Sequence, residues 1–378
     1  MLLFKNIWIV LLFSGMVGSG CVEAYEQDEQ ESPELGTLYE DAFLMGAALN
    51  GRQITGEDVN GINLVKTHFN TITPENILKW ENVHPGPDSY DFEKADQFVQ
   101  FGEENEMFTV GHTLVWHSQT PDWVFQDEEG NALDRAALLE RMKNHIHKVV
   151  GRYKGRMHGW DVVNEALNGD GSLRNTPWLE IIGEDYITKA FEYAHEADPD
   201  AELYYNDYSL EDPQKRDGAV RLMESLLEQG VPVTGVGTQG HFSLEWPSLE
   251  QAEETVKAFA GLGLDVMVTE LDIDVLPAAM DYQGADVSVS AEINAELNPW
   301  PEALPDSMQQ ALAQRYAELF DLYYRHRNAI TRITFWGVTD GDSWKNNWPV
   351  RGRTNYPLLF DRNWQPKPAF YAVAGIPE

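Results

Sequence analysis

The chain has 378 residues, 43% of them hydrophobic and 11% aromatic, enough to bury a large core in one α/β barrel or two ordinary domains. Its net charge of −35, from 62 acidic against 27 basic residues, argues against nucleic acid, which needs Lys and Arg to neutralise phosphates, and against an anionic lipid surface. A neutral polymer such as a polysaccharide stays open, as does a bland reading of the acidity as solubility in salty surroundings. The 12 tryptophans serve either as core or as flat apolar faces for sugar rings.

The chain opens on "MLLFKNIWIVLLFSGMVGSG", with one Lys, an apolar run from Ile7 to Val17 and small residues before Cys21. Residues 1–20 are expected to be a secretory signal segment, too short for a comfortable membrane span. Cys21 is the only cysteine, which rules out an intramolecular disulfide. Directly after "GSG", it resembles the lipidated cysteine of a bacterial lipoprotein, with Gly18 where such signals usually carry Leu. That resemblance implies an exported protein whose membrane contact is a lipid anchor at Cys21, held in the outer membrane, the periplasm or the cell surface; plain secretion is the alternative. Residues 21–37 are acidic, lack a basic residue and read as a flexible tether, so the folded domain, 38–378, is expected to start near Leu38.

Eight strands are predicted in turn, at 42–49, 68–74, 108–116, 158–165, 201–207, 233–241, 264–272 and 330–338. Their apolar runs are continuous rather than alternating, as parallel strands covered on both faces require. Segments with helical spacing lie between them, such as 133–153 and 306–327, the latter with Asp306 placed to cap it. Eight strand–helix alternations predict a (β/α)₈ TIM barrel. A doubly wound sheet is the runner-up, but the first strand is not followed by a glycine-rich phosphate loop. Residues 274–305 interrupt the rhythm with a long segment free of Lys and Arg, expected on the catalytic face because it follows the seventh strand.

Active sites of such barrels form at the C-terminal strand ends. Reading the polar residues there gives Glu75, Asn76, Lys79 and Trp80 after the second strand, and His112, Trp116, His117, Gln119 and Trp123 on and after the third. The fourth gives Asn164 and Glu165, the fifth Asn206, Asp207 and Tyr208, the sixth Gln239 and His241. The seventh gives Glu270 and Asp272, the eighth Trp336, Asp340 and Trp344. Singly, each is more readily a satisfied structural group, and Trp123 reads as packing. Together they converge polar groups on one rim, where isolated buried charges are costly. Glu165 and Glu270 stand on strands that closure sets across the pocket, and paired carboxylates suit glycoside hydrolysis: one protonates the leaving oxygen, the other attacks the anomeric carbon. Two structural carboxylates paired with Lys or Arg are the alternative, yet Lys79 is the sole basic residue among these rim positions.

"FNTITPENILKW", "GHTLVWHSQTPDW", "WDVVNEAL", "YYNDY", "GVGTQGHF", "VTELDI", "FWGVTDGDSW" and "PLLFDRNWQPKPAF" resemble, in order and spacing, the blocks of family 10 glycoside hydrolases, chiefly endo-β-1,4-xylanases. The resemblance runs from about Leu44 to Ala372 and departs at the long loop after Asp272. It implies hydrolysis of internal xylosidic bonds by retention, with Glu165 as acid/base and Glu270 as nucleophile. Asn164 would bond the sugar 2-hydroxyl, and His241, oriented by Asp272, would keep Glu270 ionised. Glu75, Asn76, Lys79, His112 and Gln119 would hold sugar on the non-reducing side, with Trp336 and Trp344 as walls. Trp116 and Gln239 join the substrate contacts, and Tyr208 is a stacking platform on the leaving side. The partners implied are xylan and xylo-oligosaccharides, with no cofactor, and the chain is expected to act as a monomer. No metal is expected, since His112 and His117 lack a third ligand at suitable spacing. Cellulose or glucoside hydrolysis on the same fold and a glycan-binding protein without activity are the rivals; the bulk of Trp336 and Trp344 weighs against the first and the presence of both glutamates against the second.

Overall fold

The computed structural model of the protein describes residues 33–278, 286–287, 292 and 294–377. The expected signal segment, Cys21 and most of the tether lie outside the described residues, as does part of the long loop.

Nine strands are found among the described residues: β1 (Leu44–Leu49), β2 (Thr71–Pro74), β3 (Phe108–Val115), β4 (Gly159–Asn164), β5 (Glu202–Asp207), β6 (Gly235–Thr238), β7 (His241–Ser243), β8 (Asp265–Asp274) and β9 (Ile330–Phe335). All pairings are parallel, and β6–β8 and β9–β1 complete a closed eight-stranded barrel, the predicted (β/α)₈ fold. Continuous apolar runs made this legible: every residue of β4 is buried, since helices cover its outer face and the barrel interior its inner one. The helix Arg135–Arg152 shows the outer layer's logic. Asp134 caps it by accepting from the Ala137 N–H, and Leu138, Met142, Ile146 and Val149 recur at helical spacing as its buried stripe.

Three expectations need correction. Packing starts before Leu38, because the helix Leu35–Leu38 already buries Leu35 completely. The helix Asp306–Arg325 has Pro305, not Asp306, in the cap position; Asp306 is its first helical residue and gives no side-chain cap, standing instead as an acid in the first turn. The sixth predicted strand is two strands. Gly240, at φ +81°, breaks the run after Gln239, and the chain resumes as β7, which pairs with β8 alone. A Cβ on Gly240 would stand 2.7 Å from Val268, so the break also needs glycine's lack of a side chain. This break sets His241 opposite Asp272 in register.

Register shifts fall between His112 and Val115, between Asp161 and Val163, between Val266 and Met267, and between Val268 and Leu271. Bulges of this kind re-aim side chains, and these lie on strands that end in candidate site residues. β8 runs on to Asp274, so the long loop begins after Asp274 rather than at it. Of its described residues Val275, Leu276 and Leu304 are buried and Asp286 pairs with Arg174 at 3.0 Å, whereas Pro277, Ala278, Val287 and 294–296 are exposed.

Candidate active site

Glu165 follows the last residue of β4 at φ +57°, a left-handed conformation that non-glycine residues rarely adopt. Its N–H bonds Asn206 O at 2.9 Å, which ties this turn to β5. The carboxyl is buried and accepts from Trp116 Nε1 (2.9 Å, Oε2), Gln239 Nε2 (3.0 Å, Oε1) and Asn164 Nδ2 (3.2 Å, Oε1). Burial pushes its pKa up, the Asp207 charge adds to that, and the bonds from Gln239 and Trp116 only partly offset it. The nearby Glu270 charge contributes to the rise. Among the described residues no Lys or Arg forms an ion pair with Glu165, so the reading of a structural ion pair finds no support here.

Glu270 is also buried, but its surroundings are of the opposite kind. His241 Nε2 lies 3.2 Å from Oε2, and Asn206 Nδ2 donates to Oε1 at 2.8 Å. His241 Nδ1 faces Asp272 Oδ1 at 3.0 Å, and Trp344 Nε1 donates to Asp272 Oδ2 at 2.7 Å. Burial pulls the His241 pKa down, yet the Asp272 and Glu270 carboxylates outweigh it and raise it to about 9. Burial likewise pushes Glu270 up, but the bond from His241, the charges of His112 and His241 and the Asn206 amide together hold it below the usual carboxylate range.

An amide relay joins the two carboxyls. Thr269 Oγ1 donates to Asn206 Oδ1 at 2.6 Å, which fixes the amide so that Nδ2 reaches both Glu270 and Asn164 Oδ1 (2.9 Å). Asn164 and Asn206 are register partners on β4 and β5, so the relay follows from the pairing of the strands.

On the adjoining rim, Lys79 Nζ donates to Asn76 Oδ1 (2.9 Å) and Gln119 Oε1 (2.8 Å) and sits 4.9 Å over the Trp116 ring. Burial pulls the Lys79 pKa down against the pull of Glu75, Glu270 and Glu165, and burial pushes Glu75 up against Lys79. Gln119 holds φ +48° at this rim. His112 Nδ1 meets Asp161 Oδ2 at 2.9 Å, and its ring packs edge-on against Trp336. These residues come together at one rim. Trp116 and Gln239 also belong to the cluster, but their side chains bond the Glu165 carboxyl, whereas both were expected at the substrate and Gln239 beside Glu270. Gln239 touches Glu270 through its backbone carbonyl, 2.7 Å from the Glu270 N–H, and its buried Oε1 lacks a partner.

Tyr208 is no open platform. It is 6% exposed, Lys215 Nζ covers its ring at 3.5 Å, and its hydroxyl takes a bond from Arg174. Trp123 is packing: its indole bonds Pro85 O, and the ring lies against Trp80 and His84. His117 is isolated from His112; burial, then the Arg174 charge, lowers it to about 4. Among the described residues no group of three or more His, Cys, Asp or Glu could hold a metal. Asp207 and Asp340, both rim candidates, are buried ion-pair partners of Lys215 (2.7 Å) and Lys367 (2.9 Å). Sequence reasoning missed those two lysines, which stand in polar stretches without a distinguishing signal. It also missed Asp161, for which a signal existed: a carboxylate in mid-strand of a run buried on both faces needs a partner.

Comparison with known proteins fits this geometry. A model described as "Glycosyl hydrolase family 10" matches residues 34–376. Endo-1,4-beta-xylanase A of Xylanibacter ruminicola is 46% identical over 92% of this chain and 95% of its own length. Beta-1,4-xylanase of Dictyoglomus thermophilum is 45% identical, covering 92% of each. A solved GH10 endoxylanase from a sugarcane soil metagenome superposes with a TM-score of 0.87 at 44% identity, over 91% of this chain and 99% of that one.

Proposed function

Because the chain belongs to glycosyl hydrolase family 10 and is an endo-1,4-β-xylanase, we propose that Glu165 and Glu270 cleave internal xylosidic bonds by a retaining double displacement. The observation that carries this reading is the contrast between two buried carboxyls: one raised by burial and a neighbouring charge, the other held anionic by His241 and Asn206. Glu270 attacks the anomeric carbon while Glu165 gives its proton to the departing glycosidic oxygen, leaving a glycosyl ester on Glu270. Esterification removes the Glu270 charge, and with it one cause of the raised Glu165 pKa. Glu165 then accepts a proton from water as the water oxygen attacks the anomeric carbon and the bond from that carbon to the Glu270 oxygen breaks, which releases the sugar with its β configuration, Glu270 as carboxylate and Glu165 protonated. Asn164, with a second Nδ2 hydrogen beyond the one it gives Glu165, bonds the sugar 2-hydroxyl. Glu75, Asn76, Lys79, His112 and Gln119 bind sugar on the non-reducing side, and Trp336 and Trp344 wall it. His241 and Asp272 act on Glu270 rather than on sugar.

The test is chromatography of products from residues 22–378 incubated with β-1,4-xylan and with cellulose, with NMR of the first product's anomeric proton. Mixed short xylo-oligosaccharides from xylan, formed first as the β anomer, are expected. Initial α product would overturn the double displacement, and xylan binding without turnover would return the binding-protein reading.

The N-terminal expectations extend this proposal. Residues 1–20 direct export, Cys21 carries a lipid, the acidic stretch after it tethers a monomeric catalytic barrel, and xylan is met outside the cytoplasm. Among the described residues no helix is long and apolar enough to cross a membrane. Cys21→Ala should move the protein from the detergent phase to the aqueous phase on Triton X-114 partition; a wild-type protein found in the aqueous phase speaks for plain secretion.

A further inference from the structure

Glu165 holds its left-handed backbone only as firmly as its neighbours fix it. Behind it runs a chain of buried groups that the reaction itself does not use. Asn164 and Asn206 are register partners, so Glu165 and Asp207 come next at the ends of β4 and β5. Both Asp207 carboxylate oxygens are engaged. Oδ1 accepts from Lys215 Nζ at 2.7 Å and from the Tyr208 N–H at 2.9 Å, and Oδ2 accepts from the Tyr205 hydroxyl at 2.5 Å. The Tyr205 oxygen in turn faces the N–H of Ala166, the residue after Glu165. The Asp207 backbone carbonyl accepts from the Gln239 N–H at 2.9 Å, and the Gln239 side chain donates to Glu165. Three residues thus converge on the acid from behind.

Lys215, from the helix Pro213–Glu228, and Asp207 are both fully buried. A buried ion pair is a poor stabiliser, because desolvation offsets its attraction and packed apolar side chains would hold the space as well. Its place beside the acid points to another use. An anion there opposes a second negative charge on Glu165, and Asp207 stands second only to burial in that effect. Lys215 is the counter-ion that lets the Asp207 charge exist in so dry a place. The other charged groups around Glu165 are Glu270 on β8, Lys79 after β2 and Arg174 in its own loop. Tyr186, of the helix Tyr186–Ala197, also faces Asp207.

We propose that Lys215, Asp207 and Tyr205 form a positioning chain that seats Glu165 at the scissile bond and keeps the proton on it until the leaving oxygen takes it. The inference rests on the xylanase reading and assigns three positioning residues within it. Asp207 acts by its charge, Lys215 by keeping that charge in place, and Tyr205 by joining the pair to the turn that carries Glu165.

The test separates charge from placement. Asp207→Asn/Lys215→Met removes both charges and leaves no unpaired ion behind. Its kcat/KM on xylan should lose its alkaline side about one pH unit earlier than in the wild type. The acid limb should stay nearly fixed, because Glu270 is held by His241 and Asn206 instead. Tyr205→Phe keeps both charges and cuts the link to the turn. Its kcat on xylan should fall about tenfold, a fraction of what a general acid supplies. Its burst on an aryl xylobioside with an acidic phenol, which leaves without protonation, should be nearly kept. An unmoved alkaline limb in the double variant would overturn the proposal. So would equal losses on xylan and the aryl substrate in Tyr205→Phe, which would mark the chain as packing only. If near-UV circular dichroism shows the double variant unfolded, Tyr205→Phe decides alone. A wild type that leaves linear xylan uncut would instead count against the xylanase reading itself.

Discussion

Glu165 and Glu270 are the same residue type on two strands, and their neighbours push their pKa values in opposite directions. Glu165 has burial, the Asp207 charge and neutral donors around it; Glu270 has an imidazole held between two carboxylates. Glu165→Ala should therefore cut kcat on xylan by about 10²–10⁴-fold, the usual worth of a general acid. It should cost far less in the first step on an aryl xyloside with an acidic phenol, which leaves without protonation; a stopped-flow burst measures that step, and equal losses on both substrates would count against the acid role. The pH profile follows from the same shifts. Glu270 is lowered, so its anion persists and activity is lost only as pH falls through that lowered pKa; Glu165 is raised, so its proton is lost as pH climbs through its own. Because the groups interact, the two limbs report the pair. Asp272→Asn removes the largest cause that raises His241, which then releases its proton more readily and holds Glu270 less firmly. The acid limb of kcat/KM should move to higher pH with the alkaline limb nearly fixed, and an unmoved acid limb would separate Asp272 from the control of Glu270.

At the scale of elements, what places these groups is strand register and the small residues that let strands carry amides inward. Gly237 on β6 illustrates it: a Cβ there would lie 2.5 Å from Asn206 Oδ1 and 2.6 Å from Thr269 Cγ2, the two groups that orient the relay to Glu270. Gly237→Ala should force Asn206 aside, destabilise the barrel by about 1–3 kcal/mol as overpacking does, and lower kcat by up to roughly 10²-fold through misplacement. Denaturant unfolding and kcat on xylan check the two parts, and a loss of stability with kcat intact would show that the relay tolerates the shift. The strands themselves were legible because runs such as Gly159–Val163 are buried on both faces, and the rim residues because they end such runs. Partnering was not legible. Nothing in the spacing says that Trp116 and Gln239 turn to Glu165, which depends on closure between strands distant in sequence, that Lys215 folds back over Tyr208 from the helix that follows β5, or that Gly240 splits the sixth strand.

For the whole molecule, charge is the term that the fold does not satisfy. With 62 acids against 27 bases, most carboxylates cannot be paired, and several pairs that do form are exposed, such as Arg135 with Asp185 and Arg152 with Asp96. Such pairs contribute little, typically below about 1 kcal/mol each, so salt that weakens them removes little stability. Repulsion among the excess acids is long-ranged and acts against the compact state, so salt that screens it should stabilise. The melting temperature should then rise by a few degrees between about 10 mM and 150 mM NaCl, where the Debye length falls from roughly 30 Å to 8 Å, and flatten beyond. Calorimetry across that range at neutral pH checks it. A steady rise continuing past about 1 M would point to salting-out of apolar surface rather than screening. A fall with salt would mean that the exposed pairs outweigh the excess acids, and that the acidity is tolerated by the fold for a reason other than spacing its charges apart.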